Sequence, residues 1–126
     1  MEFSKKQVRP GVVILAMTGS IRVGLNCQKI EQAVDEIIRK DGTWLVLDFT
    51  GVSYIDSAGI GMIVKCLSKL KKLGGTLRLA GLSSMVAGAL KLTRIDRVIE
   101  VFRTADEAAQ GLPPTPVPRP EFLPQA

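Results

Sequence analysis

The stretch of this 126-residue chain with the most chemical content is VLDFTGVSYIDSAGIG, from Val46 to Gly61. It carries the carboxylates of Asp48 and Asp56, the hydroxyls of Thr50, Ser53 and Ser57, and the glycines Gly59 and Gly61. A buried strand runs into Asp48-Phe49, a short loop follows, and Asp56-Ser57 falls where an apolar helical stripe begins. Free N–H groups and the positive end of the helix dipole stabilise an anion at such a place. A phosphoryl group on Ser57 would therefore find donors waiting. Asp and Ser are also the preferred N-caps, and a plain capping Ser contributes ~1 kcal/mol and nothing else. Spacing alone favours the cap. Thr50 and Ser53 are weaker candidates, because neither is placed to start the helix. Gly59 and Gly61 form no G-x-G-x-x-G fingerprint, and no Gly-Lys-Ser/Thr follows them to make a phosphate loop. Each costs ~1 kcal/mol relative to Ala in a helix, offset by close approach either of the sheet or of a partner.

Composition narrows the chemistry further. There is no histidine, which removes the Ser/His/Asp triad and most zinc sites. Cys27 and Cys66 have neither metal-ligand nor C-x-x-C spacing and read as idle thiols of a reducing compartment. An α/β enzyme built on Asp48 or Asp56 finds no second carboxylate, His or Lys placed to assist. We expect no catalysis, no cofactor and no metal. The net charge of +5 is uneven: residues 57–103 hold nine basic and two acidic side chains, while residues 1–56 hold seven of each. Such a basic segment suits an acidic protein surface. With one Trp, one Tyr and four Phe, the chain lacks the aromatic-basic interleaving of a nucleic-acid binder.

The elements that would position these residues follow from periodicity. Residues 2–9 suggest an edge strand, Pro10-Gly11 a turn, and residues 12–18 a buried strand. Lys5, Lys6 and Arg9 before Val12–Met17 mimic a signal peptide, but the six-residue apolar run is short of the ~7–15 needed. No run approaches the ~20 residues of a membrane span, so a cytoplasmic protein without direct membrane insertion is expected. Gly19 to Asn26 reads as a loop. Residues 27–40 read as a helix with Ile30, Ala33, Val34, Ile37 and Ile38 inward and Asn26 as N-cap. Residues 43–49 make a core strand. Residues 57–73 make a second helix with Ile60, Ile63, Val64, Leu67 and Leu70 inward, and Lys65, Lys69 and Lys72 outward. Met62, Cys66 and Lys69 lie at i, i+4 and i+7 on what reads as its exposed side, which puts Met62 in a partner interface beside the helix start. A strand at 76–80, a helix at 84–93, a strand at 98–102 and a helix at 104–110 complete the order β-β-α-β-α-β-α-β-α. That order implies an α/β fold whose mixed sheet is mostly parallel in its centre, with helices packed on it. Six prolines between Pro113 and Pro124 mark residues 112–126 as a flexible tail with a PxxP at Pro113–Pro116, outside a domain of residues 1–111.

The chain resembles the STAS domain family, the anti-sigma factor antagonists. The resemblance covers residues 3–110 and is carried above all by Asp56-Ser57-Ala58-Gly59-Ile60-Gly61. Met17-Thr18-Gly19, Val46-Leu47-Asp48 with Val52 and Ile55, Leu73-Gly74-Gly75, Leu79-Ala80-Gly81 and Ile95–Phe102 add to it. It implies a switch that binds a kinase-type anti-sigma factor and so releases a sigma factor for transcription. The anti-sigma factor phosphorylates a serine that matches Ser57, and a PP2C-type, metal-dependent phosphatase restores it. The implied contact residues are Asp56, Ser57, Ala58, Gly59 and Met62, with Ser20 and Arg22 from the preceding loop. After Thr18-Gly19 the family often has Glu-Leu-Asp, where this chain has Ser20-Ile21-Arg22, a guanidinium in place of a carboxylate. That exchange alters partner choice and points to an acidic partner surface. The alternative, an unphosphorylated accessory subunit of a membrane lipid-transport ATPase, usually lacks the serine that is present here.

Overall fold

In a computed structural model, residues 1–113 are described. The order is β1 (Glu2–Arg9), β2 (Val12–Ile21), α1 (Leu25–Lys40), β3 (Trp44–Ile55), α2 (Ser57–Lys72), β4 (Thr76–Ala80), α3 (Ser84–Leu92), a 3-10 turn (Ile95–Arg97), β5 (Glu100–Phe102) and α4 (Ala105–Ala109). The sheet runs β1-β2-β3-β4-β5, antiparallel at β1–β2 and parallel elsewhere. This is the expected α/β order. The expected proline tail falls mainly on residues 114–126, outside the described residues.

The sheet is sandwiched. Val13, Leu15, Met17, Leu45, Leu47, Phe49, Leu77 and Leu79 share one core with the buried residues of α1, α2 and α3. The alternate residues Val12, Ile14, Val46 and Ala80 pack with Ala108, Ala109 and Leu112 around α4. That two-sided burial is why the central strands read as continuous apolar runs and not as alternating ones. Arginines hold α4 to the sheet. Arg9 donates to the carbonyls of Ala109 and Leu112, and Arg78 to those of Ala108 and Gln110, all at the cation-favouring end of a helix.

Several boundaries differ from those expected. β3 does not end at Phe49 but continues to Ile55, with Thr18, Gly19, Ser20 and Ile21 of β2 pairing Gly51, Val52, Tyr54 and Ile55 across two register shifts. The extension depends on Gly51, where a Cβ would lie 2.6 Å from Thr18 Cγ2 and 2.8 Å from the Met17 carbonyl oxygen. The turn-like Asp48 and Thr50 bond each other: the Thr50 N–H and hydroxyl both donate to Asp48 Oδ1, at 3.0 and 2.6 Å. Asn26 is not a cap. Helix α1 begins after Gly24 without a side-chain cap, and the Asn26 amide donates to the Ser20 carbonyl at 2.7 Å. The last strand starts at Glu100, not Val98, because the Val98 and Ile99 N–H groups are taken by the Ile95 carbonyl of the 3-10 turn.

The largest correction concerns α2. Met62 is 3% and Cys66 1% exposed. The stripe that was expected outside faces α1, since its third member, Lys69, reaches Asp35 of α1 at 2.6 Å. Val64, expected inside, is half-buried at the margin. The helix packs against both the sheet and α1, so its apolar arc is rotated towards Met62. The outer stripe is Ser57, Gly61, Lys65, Ser68 and Lys72, all exposed. Both thiols are buried, and burial pushes Cys66 up to about 11.

Candidate functional site

The site lies where β3 ends and α2 begins. Strand β3 delivers Asp56 in an extended conformation, and the Asp56 N–H donates to the Ile21 carbonyl at 3.1 Å. Its side chain then joins two segments. Oδ1 accepts the Gly59 N–H at 2.9 Å, which caps α2. Oδ2 accepts the Val23 N–H at 2.8 Å, which ties down the β2–α1 loop. The Gly59 N–H foremost, then that of Val23, holds the Asp56 carboxyl below its ordinary range, with a smaller contribution from the nearby Arg22.

Because Asp56 caps the helix, Ser57 is its first residue, exposed at the surface. The sequence left open which of the two caps, and the geometry assigns that role to Asp56. Two exposed apolar side chains lie just before and at the start of α1: Val23, whose N–H is bound by Asp56, at 76%, and Leu25, the first residue of α1, at 64%. Arg22 stacks on the Tyr54 ring, with its guanidinium carbon 4.0 Å from the centroid. Val23, Leu25 and Tyr54 were not singled out in the sequence. The available signal was two apolar residues in a loop and the chain's sole tyrosine.

The structure brings the expected residues together but sorts them by depth. Arg22 and Ser57 are exposed, Ser20, Asp56 and Ala58 are half-buried, and Gly59 and Met62 are buried. A partner resting on this surface meets the first two groups and does not reach Met62. Gly59 and Gly61 also separate. A Cβ on Gly59 would lie 2.7 Å from both Ile21 Cγ2 and Ile55 Cγ1, whereas one on Gly61 meets nothing within 4 Å. Gly59 serves the packing of helix on sheet. Gly61 leaves the surface beside Ser57 without a side chain.

Two predictions follow from this geometry, both read by urea denaturation. Gly59→Ala overpacks the junction at a cost of about 1–3 kcal/mol. It regains up to ~1 kcal/mol in helix propensity, so a net loss is expected. Gly61→Ala gains about 0.5–1 kcal/mol. Equal stabilities for the two variants would contradict the packing assigned to Gly59. For Asp56, the folded carboxyl titrates below its ordinary 3.8, so its contribution is complete above that pH and is lost as pH falls through the folded value. The destabilisation caused by Asp56→Ala is expected to be full at pH 7 and to shrink below 3.8. A pH-independent difference across that range would contradict the cap.

The expected basic surface is partly neutralised within the chain. Lys65 pairs Glu31 at 3.4 Å, Lys69 pairs Asp35, Arg78 pairs Glu100 at 3.0 Å and Arg103 pairs Glu107 at 3.2 Å. Thr50 and Ser53 both lie in β3, away from any helix start. Among the described residues no three His, Cys, Asp or Glu side chains converge as a metal site. No helix there is long and apolar enough to cross a membrane.

Known proteins share this architecture. A model described as the STAS domain matches residues 4–108. The anti-sigma-B factor antagonist of Listeria monocytogenes is 33% identical over 79 residues, 63% of this chain and 69% of that protein. A Thermotoga maritima crystal structure superposes with a TM-score of 0.77 at 31% identity, covering 84% of this chain and 90% of that one. The anti-sigma factor antagonist SpoIIAA matches in its unphosphorylated form with a TM-score of 0.75, 18% identity and coverage of 91% and 99%. Its phosphorylated form, from Bacillus, matches at 0.68 and 17%, covering 88% and 99%. At those identities the likeness to SpoIIAA is one of fold.

Proposed function

This chain belongs to the STAS domain family, and from that premise we propose that it is a phospho-regulated binding module acting on an anti-sigma factor. In the unmodified state the surface around Ser57 docks the anti-sigma factor, which lets go of its sigma factor. The anti-sigma factor is of the serine-kinase type. The Ser57 hydroxyl attacks the γ-phosphorus of ATP, the bond to ADP breaks, and the serine proton passes to a base of the kinase. A PP2C-type phosphatase later hydrolyses the phosphoserine. The domain is substrate and ligand throughout and performs no catalysis.

The observation that carries this reading is the division of labour at the start of α2. Asp56 does the capping, so the Ser57 hydroxyl is exposed and available at the helix's positive end. The exposed Val23, whose N–H is bound by Asp56, supplies apolar surface next to the site. The neighbouring Arg22 supports an acidic patch on the partner. The antagonist role named for the Listeria relative supports the same assignment.

Calorimetric titration against the kinase-type anti-sigma factors of the host tests the binding step. One of them is expected to bind the unmodified chain with a Kd of about 1 µM or tighter and to release sigma factor as it does so. Absence of binding to all of them would overturn the reading.

A further inference from the structure

The side chain of Arg22 is held loosely and its main chain firmly. The Arg22 carbonyl accepts the Cys27 thiol at 3.2 Å, and the next N–H, that of Val23, donates to Asp56 at 2.8 Å. The guanidinium only rests on the Tyr54 ring, its carbon 4.0 Å from the centroid. Among the described residues it joins none of the ion pairs that occupy Lys5, Lys40, Lys65, Lys69, Arg78 and Arg103. Asp56 and Ser57 are one peptide unit, ~3.8 Å, apart. A group added to Ser57 therefore rises beside the residue that binds the Val23 N–H, one residue after Arg22.

We infer that Arg22 is a built-in counter-ion for phosphorylated Ser57: once the phosphoryl group is present, the guanidinium leaves the Tyr54 ring and forms a forked pair with the phosphate oxygens. This rests on the reading of Ser57 given above. The physical case is one of competing contacts. A guanidinium over a ring at the surface is a weak contact, whereas its planar fork matches phosphate oxygens two at a time. The phosphoryl group brings about −1.5 to −2 of charge next to the Asp56 carboxylate, which its backbone donors keep ionised. Two anions side by side call for a cation, and Arg22 is the one whose charge already acts on Asp56. Lys65 lies two turns further along α2 and is paired with Glu31, and the Cys27 thiol is neutral, its ionisation opposed by burial and by Asp56. The modification would then change the surface twice, by adding an anion and by withdrawing the cation offered to an acidic partner.

The test uses the full chain with phosphoserine genetically encoded at position 57, so it does not depend on any kinase. Phosphorus NMR follows the second ionisation of the phosphate, ordinarily near pH ~6. We expect it about 0.5–1 unit lower in this chain than in its Arg22→Gln variant. Lys72→Gln removes the same charge from the far end of α2, ~22 Å away, and should leave the ionisation unmoved. The Arg22 Nε–H proton should shift downfield on phosphorylation as it leaves the shielding face of Tyr54. Identical phosphate ionisation with and without Arg22, or an equal shift from Lys72→Gln, would overturn the inference. A kinase that ignores Ser57 would instead sink the functional reading and leave these titrations untouched.

Discussion

Ser57→Asp is expected to keep the fold and lose the partner. The carboxylate sits at the first turn of α2, where the helix dipole favours a negative charge by about 0.3–1 kcal/mol. Unfolding should therefore match or slightly exceed the parent's stability. In the interface the same charge must be stripped of water against the partner. An unpaired buried charge costs about 2–5 kcal/mol, so affinity should fall by roughly 30-fold or more, at 1.4 kcal/mol per tenfold. Ser57→Ala separates this account from a structural one. A capping serine would lose ~1 kcal/mol on truncation. Here Asp56 accepts the Gly59 N–H, so the alanine variant should lie within about 0.5 kcal/mol of the parent and still bind. Denaturation and calorimetry on the two variants read both quantities. A Ser57→Asp variant with full affinity would remove Ser57 from the interface.

Met62→Ala is expected to do the reverse, sparing the partner and weakening the fold. Met62 is 3% exposed, with its sulfur 3.8 Å from Cys66 Sγ inside the core shared by α1 and α2. Truncating a buried Met leaves a cavity and costs about 2–5 kcal/mol. Met62→Leu, which conserves volume, should cost under about 1.5 kcal/mol. At temperatures where the alanine variant remains folded, its affinity for the anti-sigma factor should stay within about twofold of the parent's. Unchanged stability with lost binding would return Met62 to the surface.

The fate of Met62 shows what periodicity can and cannot reveal. The sequence marks α2 correctly, because Ile60, Ile63, Leu67 and Leu70 recur at helical spacing and Gly74-Gly75 stops it, the Gly75 N–H donating to the Leu70 carbonyl at 2.9 Å. It does not show that the helix has two neighbours. Packed on the sheet alone it would bury one stripe; packed also on α1 it buries Met62 and Cys66 and leaves Val64 half-buried at the margin. Lys65 and Lys69 read as solvated charges but bridge to Glu31 and Asp35 of α1, a pairing between residues 34 apart that local spacing does not encode. In β3 the opposite happened: Asp48, Thr50 and Gly51 carry turn chemistry, yet pairing with β2 overrides it. At the site, Asp56 and Ser57 were legible as a helix start. Which of them caps was not, because the choice is made by the Val23 N–H arriving from the other side of α1.

The central claim is that Ser57 is the modified residue, and mapping the phosphate tests it most directly. The chain is incubated with its cognate kinase-type anti-sigma factor and ATP, digested and sequenced by mass spectrometry. The account predicts one phosphate on Ser57, none on Thr50 or Ser53, and no incorporation into Ser57→Ala. Phosphate found only at another residue, or undiminished incorporation into Ser57→Ala, would contradict it.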